Sequence, residues 1–528
     1  LRHWLMTLCI ASLLLVAGCT TDTVRTEIIL DPNEIGMHVD GTDALAIHSF
    51  DYGTHTIQLE SGESFSFPMR GSYSVPEEKK LYPIVFMGHG RSDLYEHAED
   101  LYAGYDYVIG HLAANGVVGL SLDLHAAFPL DQTYEDEGER VRKMMKATIE
   151  TVIARSREAN NPFSQKVHPD KIGIVGFTET GQYVFELANE MQANKIKVDA
   201  LLSVTPQFVE KETKWPEEVD RAIIVSEYDS IVKTYDGYAM YDELSSESAL
   251  KLITLLKRGN HHYFNTKLTT NDVAEYGTNF ELRHQLKRDE QEQFFKQYVT
   301  DYFLGILNRT ETSLIRSLQT KSQPDRMYGQ DVLLTAELKG TRLLLDPKKV
   351  DLENVHYEKT KAELVQDTLI QKEASIPLLT GLHPNGTIQE RSFLKVDWLK
   401  KSASIDFEPL LQNIVGNEVL TVNFILGPAS ERNKPYLHQA FAVELEDEEG
   451  NVGRARLPEQ LNAIEIEEGG LHENEAGELR WSRYTPIRSV RIPLERFVDI
   501  DFEHVTKLSL YFGDTDEGTI LIHSITVQ

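Results

Sequence analysis

KIGIVGFTETGQYVF, residues 171–185, sets the expectation for everything around it. Its apolar run from Ile172 to Val175 stops at Gly176, and a second glycine follows at Gly181. From Tyr183 through Val184 to Leu187 the apolar positions recur at helical spacing, so a buried strand is expected to turn sharply into a helix. Between the glycines stand Phe177, Thr178, Glu179 and Thr180. A residue at such a corner must take a sparsely allowed backbone conformation, commonly with positive φ, and a β-branched side chain raises its cost.

The flanks supply that sheet. Upstream, Pro83-Ile-Val-Phe-Met-Gly88-His89-Gly90 reads as a buried strand ending in a glycine-flanked histidine. A helix from Asp106, stopped by Gly116, and a strand at Val117–Leu122 complete a parallel strand-helix-strand unit. Helical periodicity through Val141, Met144, Met145, Ile149 and Val152 predicts a covering helix over Glu135 to Arg155. Downstream, Asp199–Val204 and Ala222–Ser226 read as two further buried strands, the second running into Glu227-Tyr-Asp229. A strand near Leu250–Leu256 precedes Arg258-Gly-Asn-His261-His262-Tyr-Phe-Asn265, and an amphipathic helix from about Asp289 to Leu307 closes the region.

The frame Gly176-Phe-Thr178-Glu-Thr180-Gly181 resembles the nucleophile elbow of α/β-hydrolases, G-x-S-x-G. It departs from that motif twice, with Thr178 in place of serine and Thr180 in place of the second glycine. The string around His261 resembles the histidine loop of dienelactone-hydrolase-like and platelet-activating-factor-acetylhydrolase-like enzymes. The resemblance spans roughly Ser66 to Asn308 and implies an α/β-hydrolase domain with a mostly parallel central sheet. It implies Thr178 as nucleophile, His261 as base and Asp229 as the acid, with Glu227, two residues earlier, as the other candidate. Positions 178, 229 and 261 follow the chain order of that fold, the last two being 261 − 229 = 32 residues apart. Backbone amides near Gly90 or Arg91 and at Glu179 are the implied oxyanion hole.

Two functions follow from the resemblance. One is ester hydrolysis, weakened or altered by the threonine. The other is a non-catalytic scaffold that binds a glycan or a protein. No cofactor is expected. His89, His125 and His261 could be imagined as metal ligands, but neutral histidines at strand ends more often bond backbone, so no metal is expected either. Tyr235, Tyr238 and Tyr241, at helical spacing, suit a substrate cleft or simple packing.

The remaining features place the domain. At 528 residues the chain suits two or three units, and 41% hydrophobic residues suffice for packed cores. A formal net charge of −30 disfavours nucleic acid as a partner, because a polyanion would be repelled. Arg2 and His3 precede an apolar run from Trp4 to Ala17, the order of a secretory signal. Val16-Ala-Gly-Cys19 resembles a bacterial lipobox, which implies a diacylglyceryl group on Cys19, a membrane lipid as partner and a place in the cell envelope. The other cysteine is Cys9, inside the signal, so no disulfide is expected beyond residue 19. Residues 20–50 read as a tether, 51–310 as the hydrolase domain and 311–528 as an all-β sandwich of short alternating segments. Val490-Arg-Ile-Pro-Leu-Glu-Arg-Phe497 and the terminal Gly518–Val527 segment resemble galactose-binding-like jelly rolls, in which the two corresponding strands are adjacent.

Overall fold

The computed structural model describes residues 26–29, 33–35, 44–91, 98–128, 136–207, 215–233, 235–319, 324–350, 352, 355–366, 392–407, 414–427, 430–434, 437–458, 460–466, 471–473, 479–481 and 486–528. The lipobox with Cys19 lies outside them.

After β1 (Thr26–Ile29), which joins a later sheet, the chain builds one sheet of 11 strands. These are β2 (Asn33–Ile35), β3 (His48–Gln58), β4 (Ser64–Ser74), β5 (Tyr82–Gly88), β6 (Val118–Leu122), β7 (Val167–Phe177), β8 (Ala200–Val204), β9 (Asp220–Ser226), β10 (Lys251–Leu256), β11 (Pro324–Met327) and β12 (Gln330–Glu337). Their spatial order is β2-β11-β12-β10-β9-β8-β7-β5-β6-β4-β3. The six central strands, β6 to β10 in that order, run parallel. β4 and β3 add antiparallel on one side, and β12 on the other.

The central strands read as continuous apolar runs because both faces are covered. Along β7, Ile172 and Ile174 face the core that holds Val141, Met145 and Leu187, whereas Val175 and Phe177 face the one that holds Phe295, Tyr298 and Val299. The first set of partners comes from α2 (Glu137–Arg155) and α3 (Glu179–Ala193), and the second from α7 (Arg288–Asn308). α1 (Asp106–Ala114) lies with α7, while α4 (Asp236–Glu243) packs on β9 and β10. α5 (Asp272–Tyr276), α6 (Asn279–His284) and α8 (Ser313–Gln319) are short. The period of two along each strand thus makes a three-layer α/β arrangement.

Among the described residues after β12, the strands pair antiparallel apart from the parallel β1–β20 pairing: β13 (Arg342–Leu345), β14 (Val355–Glu358), β15 (Thr360–Gln366), β16 (Ser392–Trp398), β17 (Ala403–Phe407), β18 (Val419–Leu426) and β19 (Ala442–Asp447). It continues with β20 (Val452–Arg456), β21 (Leu471–Glu473), β22 (Leu479–Trp481), β23 (Arg488–Pro493), β24 (Val505–Phe512) and β25 (Gly518–Val527). One sheet has the order β1-β20-β19-β24-β17-β14, and another the order β15-β16-β25-β18-β23 with β13 on β25. Trp398 of the second stacks on Phe512 of the first at 4.3 Å between ring centroids, and Phe424 meets Phe441 edge-on at 5.5 Å, so aromatic pairs join the two faces.

Three expectations are corrected. The first sheet does not end at residue 310, because β12 pairs along its whole length with β10, from Lys251 opposite Glu337 to Leu256 opposite Val332. Residues 20–50 are not tether throughout, since β1 pairs with β20 and β2 with β11. The strand ending in Ile492-Pro493 is not beside the last strand; β18 lies between β23 and β25. In each case pairing partners far apart in sequence decide the outcome, which local composition does not encode.

Candidate active site

The corner after β7 depends on Gly176, where a Cβ would lie 2.4 Å from the Thr180 carbonyl oxygen. Only glycine allows α3 to start that close to the strand. Thr178 then takes φ 50 and ψ −114, a conformation uncommon for any β-branched residue. Three backbone bonds hold it there: its N–H donates to Val204 at 3.0 Å, and its carbonyl accepts from Gly181 at 3.0 Å and Gln207 at 3.1 Å. A surrounding structure that over-determines a strained residue is the condition for keeping it.

His261 arrives on the loop after β10, and Asp229 on the loop after β9. The Thr178 hydroxyl lies 3.1 Å from His261 Nε2, and His261 Nδ1 lies 2.9 Å from Asp229 Oδ2. A proton on Nδ1 satisfies the carboxylate and leaves Nε2 to accept from the hydroxyl, the tautomer a general base requires. Asp229 is itself fixed, its Oδ1 accepting from Ile231 N at 2.9 Å and Val232 N at 2.7 Å. Glu227 is placed differently: its Oε2 accepts from Arg258 N at 2.7 Å, closing the next loop. Of the two candidate acids, Asp229 is the one on the imidazole. Burial disfavours the His261 imidazolium, but the charge and hydrogen bond of Asp229, with Asp272 and Glu179 beyond, outweigh it and raise the pKa of the ring.

Asp272 is the residue that sequence reasoning missed. It is fully buried at the start of α5, and Oδ2 accepts from Ser230 N at 3.0 Å and His261 N at 3.2 Å, while Oδ1 accepts from His262 N at 3.1 Å. One carboxyl thus ties the acid loop to the histidine loop. Burial first, then the charge of Asp229, push its pKa up. Its only sequence signal is an Asn-Asp pair opening a short helix, which ordinarily reads as a cap.

The implied oxyanion hole is arranged otherwise than expected. The Arg91 N–H donates to Oε2 of Glu179 at 2.9 Å, so the loop donor is already engaged by a carboxylate. A Cβ at Gly90 would lie 2.9 Å from that same oxygen and 3.0 Å from Thr178 Oγ1, so carboxylate and hydroxyl flank one stretch of backbone. The Arg91 guanidinium pairs with Glu137 of α2. Burial, then the charge of Glu179, push Glu137 up to about 7 despite Arg91. His89 is a brace: Nδ1 bonds the Gly90 carbonyl at 2.7 Å and Nε2 accepts from Leu124 N at 2.9 Å. Thr180 also serves the loop, its hydroxyl donating to the His89 carbonyl at 2.7 Å.

A cavity of about 90 Å³ opens on Thr178, Glu179 and His261, walled by Leu101, Tyr105, Phe177 and Phe264. Tyr235, Tyr238 and Tyr241 do not line it. Tyr235 donates to the Glu227 carbonyl at 2.7 Å, while Tyr238 and Tyr241 face a larger cavity, about 500 Å³, against the C-terminal sheets. No family model and no curated protein matches the chain.

Proposed function

We propose that this chain is a carboxylic ester hydrolase of the α/β-hydrolase type, with Thr178 as nucleophile, held in the cell envelope by a lipid on Cys19. Its C-terminal sheets are read as a jelly roll of the galactose-binding-like kind. One observation carries the catalytic assignment: a hydroxyl at a positive-φ strand-to-helix corner, joined through His261 to Asp229 by contacts of 3.1 and 2.9 Å.

The chemistry follows from those contacts. As Thr178 Oγ1 bonds to the ester carbonyl carbon, its proton passes to His261 Nε2, and Asp229 steadies the imidazolium. The carbon–oxygen bond to the alcohol then breaks, and Nε2 returns the proton to the departing oxygen. Water attacks the acyl-threonine, giving a proton to Nε2 that goes back to the threonine oxygen as the acid leaves. The Thr178 methyl crowds the attacking atom, so turnover is slow. Hydrolysis of p-nitrophenyl acetate should fall to background in Thr178→Ala and in His261→Ala. A wild-type rate no higher than that of Thr178→Ala overturns the assignment.

The engaged Arg91 amide favours a second reading. In it the chain is a non-catalytic lipoprotein that keeps the scaffold to bind a glycan or a protein. A fluorophosphonate separates the two, because it labels an activated Thr178 and leaves an inert scaffold unmodified.

A further inference from the structure

Glu179 follows the nucleophile directly, and its Oε2 holds the Arg91 N–H at 2.9 Å. An ester carbonyl that is to be polarised at this loop needs that N–H, so the carboxylate must release it. In a site walled by Tyr105, Phe177 and Phe264, a carboxylate that gives up a donor without a replacement loses a charge-assisted bond that water can only partly restore. A substrate can supply the replacement. An ammonium on the α-carbon of the acyl group stands two bonds from the carbonyl carbon, next to the oxygen seeking the Arg91 N–H.

The surrounding charge points the same way. Asp229 Oδ2 lies 2.9 Å from the His261 ring, Asp272 holds the His261 amide, and the Arg91 guanidinium is paired with Glu137. An anionic acyl group would meet the Glu179 carboxylate that lines the cavity, whereas a cationic one is drawn in, also by a chain of net charge −30. The cavity, about 90 Å³, restricts the acyl group to a small one.

Building on the catalytic assignment above, we propose that Glu179 is a specificity-determining residue that selects esters of small α-amino acids over uncharged acyl esters. Phenyl glycinate and phenyl acetate differ in the ammonium and are the probes. At about pH 6.5, where the ammonium is protonated, kcat/KM should favour the glycinate at least about tenfold, each rate corrected with Thr178→Ala. Glu179→Gln should lower that glycinate-to-acetate ratio at least about tenfold, whatever it does to the acetate rate itself. A preference unchanged in Glu179→Gln, or absent from the wild type, overturns the proposal. If neither ester is turned over faster than by Thr178→Ala, at about pH 6.5 or at about pH 8, the catalytic assignment fails instead. Glycinamide and acetamide then test the carboxylate alone, through the amide resonance of Arg91. A shift with glycinamide in the wild type and not in Glu179→Gln supports selection of the cation, and no shift overturns it.

Discussion

Thr178 and Thr180 show how two departures from a motif can differ in meaning. Thr178 carries the strain, with φ 50 and a branched side chain beside its hydroxyl. Thr178→Ser removes the methyl and lowers the cost of that backbone, so ester hydrolysis should rise about tenfold, read as kcat/KM for p-nitrophenyl acetate. Thr180 instead fills its place: it is fully buried and bonds the His89 carbonyl at 2.7 Å. Thr180→Gly should therefore cost about 1–3 kcal/mol in urea unfolding rather than improve the site. The raised pKa of His261 sets the pH dependence. In the proposed mechanism the base must be neutral, so activity should rise with pH through a midpoint above the ordinary histidine value of about 6.5. Asp272→Asn removes a negative charge that favours the imidazolium, which should move that midpoint to lower pH. It should also lower kcat, because the bonds to Ser230, His261 and His262 weaken.

At the scale of elements, α2 and α3 carry more than a packing face. The first turn of α2 sets Glu137 against Arg91, and α3 begins with Glu179 on the Arg91 amide, so two helix starts meet one loop. The folded protein holds the Glu137 proton up to about pH 7, whereas an unfolded chain gives it up near 4.5. Between those values the native state binds more protons, so stability falls as pH rises. Glu137→Gln keeps the neutral form throughout. Its melting temperature relative to wild type should rise between about pH 5 and pH 8. A constant difference would show that the Arg91 pair, not burial, governs this helix start.

The whole molecule is joined more closely than a domain list suggests. β12 closes the edge of β10, and Thr335 of β12 meets Ser489 of β23 at 2.7 Å between hydroxyl oxygens. Arg491 of β23, almost fully buried, donates to the Leu318 carbonyl at 2.8 Å near the end of α8. Lys257 and Glu465 form a further link at 2.8 Å. A chain cut after residue 310 leaves β10 with a bare apolar edge and should aggregate on size-exclusion chromatography. Arg491→Ala removes a donor from buried carbonyls at a helix end, so stability read by denaturant unfolding should fall by about 1–3 kcal/mol.

Spacing alone determined the sharp corner at Gly176, the buried runs that became β5, β7, β8, β9 and β10, and the chain order of positions 178, 229 and 261. These are local matters: apolar period, glycine placement and a count along the chain. Tertiary structure alone decided that Asp229 rather than Glu227 takes the imidazole, that Asp272 binds two loops, and that Glu179 sits on the Arg91 amide. The same holds for the reach of the first sheet to residue 337. Hydrogen bonds form or fail within a few tenths of an ångström, and their partners here come from segments far apart in the chain.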